Sequence, residues 1–264
     1  MIRLAISGGA GRMGRTLAAL AAADGGFEVV GGIDRVNLPP GEAQALGFPR
    51  VRSMDSAGEV LRAADVVLDF SAPAGLSALL RGHADALAGR ALVVGTTGLG
   101  EAEHARLKET ERRTAVLVAA NFSIGINLLL SLAEQAARAL PAQEYDVEIV
   151  EAHHRHKADA PSGTALALGR AVAAGRGEAL ERLRRDGRSG ELGERPAGQI
   201  GFHALRGGEV AGEHRVLFLG GRERIELAHA ASERAIFAEG ALAAARWIAG
   251  REAGRYEMRE VLGL

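Results

Sequence analysis

Short apolar runs alternate with helical stretches through the first half of the chain. Ile2 to Ser7 predicts a strand, Arg15 to Ala23 a helix, and Phe27 to Ile33 a second strand that ends at Asp34-Arg35. Asn37 to Arg50 is rich in Pro and Gly and reads as a loop. A short strand around Val51 and a helical stretch from Ser56 to Ala63 follow. Asp65 to Phe70, Ala91 to Gly95 and Thr114 to Ala120 are apolar enough to be buried on both faces, with the charged helix Glu101 to Arg112 between the last two. Such strands, alternating with helices, predict a parallel sheet covered on both sides.

The second half has another rhythm. After a long apolar helix, Ile124 to Leu140, polar and apolar residues alternate in four segments: Asp146 to Glu151, Gln199 to Leu205, His214 to Leu219 and Arg222 to Ala228. That period of two is the mark of half-buried strands. Ala165 to Ala174 predicts a helix, with Ser162 as its N-cap. Gly175 to Gly198, rich in Arg and Gly, reads as an irregular excursion, and Arg234 to Ala249 as a final helix. The expected fold is therefore α/β: a Rossmann-type dinucleotide-binding domain plus a second α+β domain with a mixed, roughly four-stranded sheet.

Composition narrows the function. The chain has 264 residues, 47% of them hydrophobic, which is enough for two modest cores. A net charge of −1 argues against a dedicated nucleic-acid or membrane-surface protein. The absence of cysteine removes disulfides, thiolate catalysis and Cys-based zinc sites together. No apolar run approaches the roughly 20 residues of a membrane span, and the N-terminal residues lack a signal peptide's layout. A soluble, cytoplasmic protein is expected.

Candidate chemistry lies first at the strand ends. Ile2 to Ser7 enters the turn Gly8-Gly-Ala-Gly11-Arg-Met-Gly14 and then a helix. A dinucleotide site needs that order, because glycines let backbone approach phosphate at a helix start. Asp34, ending the second strand, suits the ribose hydroxyls of NAD, and the adjacent Arg35 suits the 2′-phosphate of NADP, so NADH and NADPH both stay open. Gly95-Thr-Thr97 and Ala119-Ala-Asn-Phe122 also occupy strand ends; a capped turn and an Asx turn explain each alone equally well, but their shared placement points to a cofactor crevice.

The richest stretch is Glu151-Ala-His-His-Arg-His-Lys157, followed by Ala-Asp-Ala-Pro-Ser-Gly-Thr164. A strand delivers titratable and cationic side chains to a loop that ends at a helix start, where anions are favoured. This suits a small carboxylate substrate and a proton transfer near neutral pH. A shared metal is disfavoured, because adjacent histidines at a strand end point in opposite directions. Arg155 and His156 read as surface or subunit-contact residues, and Asp159 as a turn residue.

This loop resembles the 4-hydroxy-tetrahydrodipicolinate (dihydrodipicolinate) reductase family, whose Glu-x-His-His-x-x-Lys-x-Asp-x-Pro-Ser-Gly-Thr pattern it matches throughout. Gly11-Arg-Met-Gly14, Asp69-Phe-Ser71, Gly95-Thr-Thr-Gly98, Ala120-Asn-Phe-Ser123, and Arg206-Gly-Gly208 through Gly212-Glu-His214 extend the resemblance over nearly the whole chain. It implies a dinucleotide-binding domain over 1–123 and 233–264, and a substrate-binding and oligomerisation domain over 124–232. It also implies a homotetramer that reduces a cyclic imine dicarboxylate with NADH or NADPH. Carried over by position, His153 and Lys157 are the acid/base pair, and His154, Gly163 and Thr164 hold the substrate. Gly8, Gly9, Ala10, Gly11, Arg12 and Met13 would line the cofactor, together with Asp34, Arg35, Gly95, Thr96 and Thr97. Ala119, Ala120, Asn121 and Phe122 would complete that lining. Either His153 or Lys157 serves as donor on this reading, with Lys157 the preferred choice and His153 in support.

Overall fold

Twelve strands form along the chain. They are β1 (Ile2–Ser7), β2 (Phe27–Asp34), β3 (Val51–Ser53), β4 (Val66–Asp69), β5 (Ala91–Val94) and β6 (Ala115–Val118), then β7 (Asp146–His153) and β8 (Arg184–Asp186). β9 (Ile200–Arg206), β10 (Glu213–Leu219), β11 (Arg224–Ala230) and β12 (Gly254–Tyr256) complete the set. The computed structural model describes all 264 residues as two units, Met1–Ile124 with Ala235–Gly263, and Gly125–Arg234 with Leu264.

In the first unit the apolar runs build a seven-stranded sheet in the order β12-β6-β5-β4-β1-β2-β3. Every pairing in it is parallel. Both faces are covered. Leu4, Ile6, Leu68 and Val93 pack on one side with Leu17, Ala241 and Ile248, while Ala5, Val67, Leu92 and Val116 pack on the other with Leu61, Leu76 and Leu107. That two-sided burial is why these strands read as unbroken apolar runs. The strand order reverses at β1, which pairs β2 on one edge and β4 on the other, so a crevice opens above its carboxyl end.

Two elements here differ from expectation. The Pro/Gly-rich segment after β2 contains a helix, Pro40–Ala45, with Pro40 in the first turn where a missing N–H costs nothing. The chain also continues past the helix Ala235–Ile248 into β12, which adds an edge to the sheet beside β6.

The second unit is a mixed sheet of five strands rather than four, ordered β11-β10-β7-β9-β8. β7 runs parallel to β9 and antiparallel to β10. The extra strand, β8, is three exposed residues on an edge, Arg-Arg-Asp, so it carries no burial pattern to read. Val147, Ile149, Phe202, Val216 and Phe218 line one face and pack with Ala165, Leu168 and Val172 of the helix Gly163–Gly175 and Leu129 of Ile124–Ala139.

Candidate active site

At the first unit's crevice the turn after β1 is shaped for close approach. Gly8 has φ +80°, and a Cβ there would lie 2.6 Å from the Phe70 carbonyl oxygen. The helix Arg12–Ala23 follows, and its N-cap residue Gly11 provides no side-chain cap for the first-turn amides. A turn with no side chain larger than the Ala10 methyl, in front of an uncapped helix start, fits a pyrophosphate. Asp34 ends β2, its Oδ2 accepting from the Ala10 N–H at 2.8 Å and its Oδ1 from the Arg35 N–H at 2.8 Å. Arg35 is exposed. A Cβ on Gly95 would overlap the Phe70 ring, which itself tilts against Phe122 with centroids 5.4 Å apart.

Two of the expected residues here, Thr96 and Asn121, carry structural bonds. Thr96 donates its hydroxyl to Asp69 Oδ2 at 2.6 Å, and Ser71 donates to Asp69 Oδ1 at 2.8 Å. Asp69 has no exposed surface, and burial raises its pKa despite those hydroxyls. Asn121 Oδ1 accepts from the Ser123 N–H at 2.8 Å, the Asx turn that its composition allows. Thr97 and Ala120 are exposed, and Ala119 is half-buried.

In the second unit the site grows from the register of β7. Val147, Ile149, Glu151 and His153 share a face, so the apolar core turns polar at the strand's carboxyl end. His214 on β10 stands opposite Glu151, and Arg206 on β9 stands opposite His153. Glu151 is 1% exposed and accepts four hydrogen bonds. Arg206 donates to it twice, at 2.8 and 2.7 Å, the Ser162 N–H once at 3.0 Å, and His153 Nδ1 once at 2.5 Å. Burial alone would raise its pKa, but the Arg206 fork, His153 and the Ser162 amide outweigh that and lower it.

The same end of the core holds the helix start. Ser162 Oγ accepts from the Ala165 N–H at 3.1 Å, which makes it the expected N-cap of Gly163–Gly175, and it lies 3.0 Å from His214 Nε2. Such a cap contributes about 1 kcal/mol. Gly163 and Thr164 form the first turn next to it. His214 is 4% exposed, and burial, with His153 adding to it, lowers its pKa to about 4. Its ring meets that of His153 edge-on, with centroids 5.1 Å apart.

His153 is the last residue of β7 rather than a loop residue, with its side chain 12% exposed. Burial lowers its pKa, Glu151 opposes that, and the charges of Lys157 and Arg206 add to it. Lys157 Nζ pairs with Asp159 Oδ1 at 2.8 Å, and this pair holds the Asp159 carboxyl below its usual range. His154 turns to other partners. Its Nε2 lies 3.3 Å from Arg234 Nη2, and its ring is 6.0 Å from that of His156. Arg155 and His156 are exposed. The β7 end thus gathers His153, Lys157 and the helix start, while Glu151, Arg206, His214 and Arg234 join them without having been expected. The alternation of β7 was the available signal for Glu151, because it puts a carboxylate at a core position.

The sequence matches the model of the dihydrodipicolinate reductase N-terminus over residues 2–122 and that of the dihydrodipicolinate reductase C-terminus over 125–262. The chain belongs to the dihydrodipicolinate reductase family. It is 48% identical over 267 residues to the 4-hydroxy-tetrahydrodipicolinate reductase of Alkalilimnicola ehrlichii, covering 99% of each chain. The protein of that name from Thiobacillus denitrificans is also 48% identical, over 268 residues, 100% of this chain and 99% of its own. Among solved structures, a dipicolinate-bound dihydrodipicolinate reductase from Paenisporosarcina sp. TG-14 has the same fold. Its TM-score is 0.74 at 24% identity, with 98% of each chain covered.

Proposed function

We propose that this protein reduces 4-hydroxy-tetrahydrodipicolinate to tetrahydrodipicolinate in lysine and diaminopimelate biosynthesis, with NADH or NADPH as reductant. The gathering of His153, Lys157 and a helix start at one strand end carries this reading, in a chain whose relatives bear that enzyme's name. The glycine turn Gly8–Met13, with Asp34, Arg35, Gly95–Thr97 and Ala119–Phe122, would hold the dinucleotide. When bound, the reduced nicotinamide supplies a hydride.

The chain's own residues supply the rest. A substrate with two carboxylates is held by His154 and by the helix start at Gly163 and Thr164, whose dipole favours anions. Lys157 brings a cation to the same substrate and donates the proton that completes the reduction, a contribution of about 10²–10⁴-fold for a positioned acid. Its ion pair with Asp159 keeps the ammonium on the loop beside β7. His153, largely buried and neutral near pH 7, relays or supports that proton. Asp34 favours NADH and Arg35 favours NADPH, so both cofactors are used.

A cytoplasmic homotetramer is the setting we assign to this activity. The family likeness supports it. A steady-state assay with the condensation product of pyruvate and aspartate semialdehyde tests the reading. Oxidation of NADH or NADPH above background is expected, and its absence refutes the proposal. Lys157→Ala should lower kcat by about 10² or more while the KM for the nucleotide stays within about twofold.

A further inference from the structure

Glu151 has no place in the proton chemistry above, yet it is the most heavily bonded carboxylate at the site. It is 1% exposed, and both of its oxygens are saturated by the Arg206 fork, the Ser162 amide and the His153 ring. A buried carboxylate is costly unless paired and hydrogen-bonded in this way. Arg206 also donates to the backbone carbonyl of Asp159 at 2.6 Å, and the Asp159 carboxylate holds Lys157. One ion pair thus reaches His153 directly and Lys157 through its loop.

We propose that Glu151, locked by Arg206, is the positioning residue of the site: it keeps the proton of neutral His153 on Nδ1 and leaves Nε2 as the atom that exchanges protons. The inference rests on the proposed function for its catalytic consequence, and on hydrogen bonding alone for the tautomer. An ionised carboxylate only accepts, so the nitrogen it faces carries the hydrogen. Nε2 then holds the lone pair, and it faces the Gly212 backbone, where a Cβ would come within 3.1 Å. The charged or titratable groups around the ring are Glu151 on its own strand, Arg206 on β9, His214 on β10 and Lys157 in the loop. Of these only Glu151 favours the imidazolium; burial is the largest influence against it, and the charges of Lys157 and Arg206 oppose it more weakly.

The test has two arms on the full-length protein. In wild-type protein labelled with ¹⁵N-histidine, the spectrum at pH 7.5 should show His153 protonated on Nδ1, with the signal assigned by its loss in His153→Gln. A ring protonated on Nε2 overturns the proposal. In Glu151→Gln the carboxylate is replaced by an amide whose NH₂ can donate to the ring and reverse the tautomer. We expect kcat to fall by about 10²-fold with the nucleotide KM unchanged. We also expect the inflection of kcat/KM assigned to His153 to move to lower pH, because the one group favouring imidazolium is gone. A folded Glu151→Gln enzyme with wild-type kcat and an unmoved profile overturns the proposal. If that variant does not fold, the wild-type spectrum decides alone. If the wild-type enzyme fails to reduce the imine, the proposed function falls while the tautomer result still stands.

Discussion

Asp34 accepts the Ala10 amide at 2.8 Å, so the acid at the end of β2 holds the glycine turn that follows β1. The residue that sequence reasoning gives to the ribose is therefore also a brace for the phosphate-binding turn.

Two substitutions separate these roles. Asp34→Ala removes the brace, and the KM for NADH and NADPH should both rise about tenfold, the loss of one charge-assisted hydrogen bond. Arg35→Ala leaves the brace intact and should change only the ratio of kcat/KM for the two cofactors, toward NADH. Steady-state kinetics with both nucleotides decides. A ratio that does not move in Arg35→Ala excludes that side chain as the 2′-phosphate contact.

Gly212, at φ +153°, leaves room for the His153 ring, and an added methyl would meet Nε2 at 3.1 Å. Gly212→Ala should therefore displace the imidazole by a few tenths of an ångström and strain the backbone as well, a cost of about 1–3 kcal/mol. We expect a lower Tm and a kcat reduced about tenfold, with the nucleotide KM unchanged. Thermal melting and kinetics on the same preparation would show it. A variant with wild-type kcat would mean that the ring does not need this space.

His214 makes the second unit sensitive to acid. Burial lowers its folded pKa to about 4, from the ordinary histidine value of 6.5. The unfolded chain therefore takes up this proton before the folded one does, and stability falls as pH drops from 6.5 to 4. The window is worth about 3 kcal/mol. Glu151, also lowered, adds its own loss only as pH falls below the ordinary carboxylate range. Urea unfolding between pH 7 and 4.5 should show a steeper decline for wild type than for His214→Asn. Equal slopes would rule out His214 as the source.

Much of this protein was legible in its residues, and what was not has a physical reason. Apolar runs such as Val66–Asp69 and Ala91–Val94 announced a sheet buried on both sides, and the alternation of β7 announced a half-buried one. β8 and β12 did not announce themselves, because neither three-residue edge strand buries a side chain fully, whereas the equally short β3 was marked by its buried Val51. The helix Pro40–Ala45 was hidden by prolines that break a helix interior but begin a first turn well. At the site, His153, Lys157 and Ser162 stood out through their spacing along one loop. Arg206 is 55 residues from Glu151, and only the parallel pairing of β7 with β9 brings the two into contact. A partnership made by strand register has no local signature.

The last edge of the seven-stranded sheet is β12, which pairs with β6, and the helix just before it fills the core with Ala238, Ala241, Ala245 and Ile248. During translation, strands β1 to β6 leave the ribosome more than a hundred residues ahead of these two pieces. The nascent first unit must therefore wait, with part of its apolar surface uncovered, while the entire second unit is synthesised.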